Sequence, residues 1–177
     1  MTLEIVRGID WGKRLPTRPN VAMKPDRMLG VAVHVIQSGV LRDVDGGRRM
    51  ANIQRWHMDN NGWSDIAYAY GVGFDGTIYE GQRIGSAGFA EGKSRSGRAF
   101  KTNHNPLWVS VIALHGTGND PSTTMIESMY NLCQHITSDL RSRGNTNPLA
   151  VLGHCQILYN KTKHTCLLYT SPSPRDS

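Results

Sequence analysis

With 177 residues and a formal net charge of +6, the chain has the length of one domain with a sizeable core. The positive balance suits an anionic partner such as nucleic acid or bacterial cell wall, but the basic stretches Arg42–Arg49 and Lys93–Lys101 are both interrupted, which weighs against nucleic acid. Cys133, Cys155 and Cys166 show no CxxC spacing and argue against a disulfide framework, no apolar run is long enough to span a bilayer, and MTLEIVRGIDWGKR lacks the apolar core of a signal peptide, so a cytoplasmic site of synthesis without export is expected.

Residues 1–29 read as loop, punctuated by Gly8, Gly12, Pro16, Pro19 and Pro25, with Trp11 as an anchor. Leu29–Gln37 (LGVAVHVIQ) has the pattern of a buried strand, apolar except for His34. After a loop over Ser38–Gly47, Met50, Ile53, Trp56 and His57 fall at helical spacing within Arg48–Asn60, and Asn60-Asn61-Gly62 ends that helix. Gly62–Gly81 (GWSDIAYAYGVGFDGTIYEG) reads as a β-hairpin turning at Asp75-Gly76, because such a turn needs positive φ at its centre. Ala67, Ala69, Gly71 and Gly73 alternate there with Tyr68, Tyr70, Val72 and Phe74, giving one small face and one bulky face.

Residues 81–105 form a long polar connection, of the kind that is usually functional. Pro106–His115 (PLWVSVIALH) is apolar on both faces, with Val109, Val111 and Ala113 on one and Trp108, Ile112 and Leu114 on the other, as expected of a central strand. Pro121 to about Arg143 is the clearest helix, with Asp120 as cap, Pro121 in the first turn, Gly144 closing it, and a stripe of Met125, Ile126, Met129, Leu132, Cys133, Ile136 and Leu140. Leu149–Gly153 reads as a short buried strand leading into His154. The pattern predicts a single-domain α/β fold over residues 1–165, a central mixed β-sheet flanked by helices on both faces. Residues 166–177 (CLLYTSPSPRDS) read as the in-frame translation of a sequencing adapter, outside the fold.

Two histidines stand at matching places, His34 within one strand and His154 at the end of another. Taken singly, an imidazole in an apolar strand is a hydrogen-bonded core residue, since leaving it unpaired costs a few kcal/mol. As a pair followed by Cys166 they would supply a His₂Cys set, and catalytic zinc commonly takes three such ligands and one open position. His164 competes with Cys166, because His₃ is equally good zinc chemistry.

The segments IDWGKRLP, GVAVHVI, IQRWHMDNNGWSDIAYAYGVGFDGTIYEGQ, VSVIALHGT and VLGH together resemble the zinc-dependent type 2 N-acetylmuramoyl-L-alanine amidases, a group that includes phage endolysin amidases and peptidoglycan recognition proteins. The resemblance covers most of residues 8–165. It implies a Zn²⁺ cofactor held by His34, His154 and Cys166, with Tyr68 beside the metal and His164 or Lys163 assisting an oxyanion. His57, Trp63 and His115 are candidates for binding substrate, His57 and Trp63 by flanking the turn before the hairpin. The implied reaction is hydrolysis of the amide between the lactyl group of N-acetylmuramic acid and L-alanine. The implied partner is bacterial peptidoglycan, with no nucleic acid, no membrane insertion and a monomeric state, and the implied setting is a phage endolysin kept in the host cytoplasm until lysis releases it to the cell wall. A module that holds stem peptides without cutting them, its zinc site incomplete, is the alternative.

Overall fold

The computed structural model describes residues 3–18, 21–22, 24–36, 45–82, 86–87, 108–116 and 120–153. In chain order the elements are β1 (Ile5–Val6), β2 (Val21–Ala22), β3 (Gly30–Ile36), α1 (Gly46–Arg55), β4 (Tyr70–Val72), β5 (Ile78–Glu80), β6 (Ser86–Ala87), β7 (Trp108–Gly116), α2 (Thr123–Ser142) and β8 (Ala150–Gly153). Six strands form one sheet in the order β1-β5-β4-β7-β3-β8, and β2 pairs with β6 separately. Every pairing in the large sheet is parallel except the β4–β5 hairpin, so the sheet is mixed, as expected.

Alternation along β7 explains how two helices cover this sheet. Val109, Val111 and Ala113 pack with Val31, Val72 and the α2 residues Met125, Leu132, Ile136 and Leu140. Ile112 and Leu114 face the other way, with Met50, Ile66, Tyr79 and Trp11. A strand buried on both faces reads as a continuous apolar run, which is how β7 reads. In β4, Gly71 leaves room for α1: a Cβ there would sit 2.5 Å from Met50 Sδ. The hairpin turns at Gly76, whose φ is +86°, with Asp75 Oδ1 accepting the Thr77 N–H at 3.0 Å.

Several expectations need correcting. The cap of α2 is Ser122, not Asp120: its Oγ accepts from Met125 N at 3.0 Å and donates to the Phe74 carbonyl. Ile126 is 47% exposed and leaves the apolar stripe, because it lies beyond the arc that the sheet covers. Strand β8 is an edge strand with Val151 49% exposed, not a buried one, because among the described residues only β3 flanks it. The first helix stops at Arg55 and continues as a single π-helical turn, Trp56–Asn60. The N-terminal region also contains β1, a two-residue strand parallel to β5, where loop was expected.

Gly30 sits at the start of the β3–β8 pairing, with φ +142°, and a Cβ there would lie 1.8 Å from the Ala150 carbonyl oxygen. Gly30→Ala is expected to lose about 2–4 kcal/mol, from strained backbone and a forced separation of β8; chemical unfolding of the two proteins measures it. Tyr70, buried in the α2-side core, has its phenol pushed up to about 12, first by burial and then by Asp139 and Glu80, against a smaller opposing effect of Arg143. The unfolded chain releases that proton near pH 10 while the folded one holds it to about 12, so this stability is complete below about pH 10 and is lost as pH rises toward 12. Tyr70→Phe should flatten the fall in Tm over that alkaline window, measured against the wild type.

Candidate functional site

The sheet brings His34 and Tyr68 together on the α1 side. In β3, Ala32 and His34 lie opposite Ser110 and Ile112 of β7, and Ile112 packs toward α1. Side chains two apart on a strand share a face, so His34, Ser110 and Ile112 do so. Tyr68 lies in the extended segment just before β4, and Ala69 N donates to the Ser110 carbonyl at 2.9 Å, stitching that segment to β7. The rings of His34 and Tyr68 meet edge-on, with centroids 5.1 Å apart and planes at 63°.

The π-helical turn adds a third ring. His57, buried, accepts from Ala67 N through Nδ1 at 3.1 Å, and its ring lies 5.6 Å from Tyr68 and 4.4 Å from Trp63. An Nδ1 that accepts a hydrogen bond places the ring proton on Nε2. A single inserted π turn re-aims side chains at the end of a helix, and such turns occur often at functional sites. Here His57 and Met58 point inward while Trp56 is left 59% exposed.

A buried polar cluster holds the segment that carries Tyr68. Gln54, in α1, donates to Asp65 Oδ1 at 2.6 Å and to the Arg14 carbonyl at 2.9 Å, and accepts from Arg14 N at 2.8 Å. Lys13 pairs with Asp65 at 3.2 Å and donates to the Gly81 carbonyl at 2.8 Å, while Trp11 Nε1 donates to the Glu80 carbonyl at 2.8 Å. The N-terminal IDWGKR run therefore clamps the base of the hairpin and the loop before it. Buried polar groups joined in this way fix a conformation, because each unmade bond would carry its full desolvation cost.

Burial, the sole cause, pushes the Tyr68 phenol up to about 12. It therefore stays protonated through neutral pH and can donate a hydrogen bond. His34 Nε2 lies 3.0 Å from Ser110 Oγ. His115 is buried at the end of β7, where the pairing with β3 slips between Val35 and Ile36. His154, Lys163, His164 and Cys166 lie outside the described residues. Among the described residues no three His, Cys, Asp or Glu side chains converge as a metal site, and His34 is the one expected ligand they include.

No family model matches the chain. It is 31% identical over 110 residues to peptidoglycan-recognition protein SC2 of Drosophila melanogaster, across 62% of this chain and 53% of that protein. It is 29% identical over 158 residues to Drosophila peptidoglycan-recognition protein LB, across 88% of this chain and 62% of that one. A pig N-acetylmuramoyl-L-alanine amidase is 31% identical over 110 residues, 16% of its own length. Among solved structures, Drosophila peptidoglycan recognition protein SD superposes with a TM-score of 0.70 at 19% identity, covering 92% of this chain and 89% of that one. A point mutant of Drosophila protein LB in complex with tracheal cytotoxin gives 0.68 at 23% identity, covering 88% and 85%.

The chain is similar to peptidoglycan-recognition proteins and to an N-acetylmuramoyl-L-alanine amidase, and it shares their fold.

The match spans about half the length of the first of these curated relatives. These relatives come from animals: Drosophila, Holotrichia diomphalia and Sus scrofa. That overturns the expected setting of a phage protein waiting in a bacterial cytoplasm, because the sequence relationships run to animal recognition proteins. No helix among the described residues is long and apolar enough to cross a membrane.

Ser110 and the Gln54–Asp65–Lys13 cluster escaped the sequence reading. A lone hydroxyl inside the otherwise apolar strand VSVIAL was the available signal for the first, and a carboxylate followed at once by buried Ile66-Ala67 for the second.

Proposed function

We propose that the chain is a zinc-dependent N-acetylmuramoyl-L-alanine amidase that cleaves the lactyl–L-alanine amide of bacterial peptidoglycan, working as a monomer. The observation that supports this best is the register of β8 on β3. Gly153, the last residue of β8, lies opposite Val33, and the residue that follows each of them in the sequence is a histidine, His154 and His34. A protonated phenol, Tyr68, stands at the edge of the His34 ring. Imidazoles and a thiol are zinc donors, and a half-buried imidazole already oriented by a hydroxyl fits a ligand position.

His34 and His154, completed by Cys166 or His164, would hold the ion. Zinc supplies Lewis acidity toward the scissile carbonyl and lowers the pKa of water to about 7. Tyr68 would donate to the oxygen on which charge develops, with Lys163 or His164 as a second donor. His57 and Trp63 would support the substrate groove beside that phenol, and His115 would bind substrate or, from its buried place, back the strand end.

A second reading has its own support. Most of the similar proteins named above are recognition proteins, and one was solved holding tracheal cytotoxin. In that reading the same residues bind stem peptides and cut nothing. The two part on purified peptidoglycan. The amidase releases peptides with new alanine amino termini, loses that activity to a chelator and regains it with zinc. Binding to the wall polymer with no new amino termini leaves the recognition reading standing and removes the enzymatic one.

A further inference from the structure

We infer that Ser110 is the positioning residue for the zinc histidine, holding His34 Nε2 so that Nδ1 is the nitrogen presented to the metal; this rests on the amidase reading above. Ser110 is 3% exposed, in the central strand of the sheet. A hydroxyl buried there costs about 1–3 kcal/mol unless it is bonded. Its partner is His34, with Oγ 3.0 Å from Nε2.

The register explains why this serine can do so. Ser110 pairs with Ala32 and His34 with Ile112, one step further along the same two strands. Ser110 and His34 are therefore diagonal neighbours on the α1 face, and the residue opposite Ser110 on that face is the small Ala32. An imidazole binding a metal through one nitrogen carries its proton on the other, and the group that accepts this proton sets the tautomer and the ring plane. With Nδ1 toward the metal, Nε2–H donates to Ser110 Oγ.

The same residue also places the phenol. Its carbonyl accepts from Ala69 N at 2.9 Å, one residue beyond Tyr68. One position of β7 thus sets the His34 ring through its side chain and the Tyr68 segment through its backbone. Only the first of these depends on serine.

Ser110→Ala and Ser110→Gly delete the hydroxyl and keep the carbonyl, and Val109→Ala serves as a control on the same strand, packed toward α2 instead. Zinc affinity is measured by competition with a chromogenic chelator, and the His34 ring nitrogens by ¹⁵N NMR of the metal-free protein. Losing the orienting partner of a ligand histidine is expected to weaken zinc about 10–100-fold. The expected result is that weakening in both serine variants, with a shifted Nε2 resonance, and neither change in Val109→Ala. Unchanged zinc affinity and unchanged His34 nitrogens in a folded serine variant overturn the inference. Should the wild type bind no zinc at all, the amidase reading falls by itself, and the Nε2 resonance still decides whether Ser110 positions His34.

Discussion

His34→Ala should leave the fold standing and remove both bound zinc and peptidoglycan cleavage. The side chain is half-buried and β3 is held by pairings on both sides, so alanine fits the strand, and losing the Ser110 bond and the ring contact with Tyr68 costs about 1–3 kcal/mol. The loss of function has a different scale. With one of three protein ligands gone, a catalytic zinc site keeps neither its geometry nor its ion, and turnover falls to background. Circular dichroism, elemental analysis and amino-terminus release separate these effects. Full zinc content in a folded His34→Ala protein would remove His34 from the metal site.

Tyr68→Phe should cut kcat about 10²–10³-fold, the usual consequence of deleting one oxyanion donor, with zinc content and KM little changed. Protonation of the phenol matters as well as its place. Burial alone pushes this phenol up to about 12, so it donates a hydrogen bond throughout the range in which the enzyme would work. The rate ratio of wild type to Tyr68→Phe should therefore stay flat from about pH 6 to 9. A drop below threefold would show that the hydroxyl faces no developing charge.

The parts of the fold that were legible in the sequence are those where the signal is local. The Asp75-Gly76 turn carries its own requirement for positive φ, and the observed hairpin turns there. The two-sided apolar pattern of β7 correctly placed that strand inside the sheet, with each set of residues facing its own helix. The stripe of α2 was legible too, although its cap was not: the fold sets the Ser122 hydroxyl, rather than Asp120, against Met125 N. What was lost depends on pairing across the chain. β1 and β2 have two residues each and owe their strand geometry to partners more than sixty positions away. That β8 lies at an edge is a property of the sheet order, not of its own apolar residues.

The candidate site divides in the same way. The sequence singled out His34 and Tyr68 as candidates, and the structure brings their rings together. The setting of those rings was not legible, because it comes from tertiary hydrogen bonds: Ser110 to His34, Ala67 to His57, and the Gln54–Asp65–Lys13 cluster beneath the Tyr68 segment. Nothing in the spacing of Lys13, Gln54 and Asp65 along the chain announces that they meet.

The most direct test of the proposed zinc site is anomalous diffraction at the zinc absorption edge from crystals of the metal-loaded protein. One strong peak is expected at coordination distance from His34 Nδ1, about 2.0–2.1 Å, on the side of the ring away from Ser110 and within reach of the Tyr68 hydroxyl. A peak bonded to Nε2, a peak elsewhere on the molecule, or none at the site would contradict it.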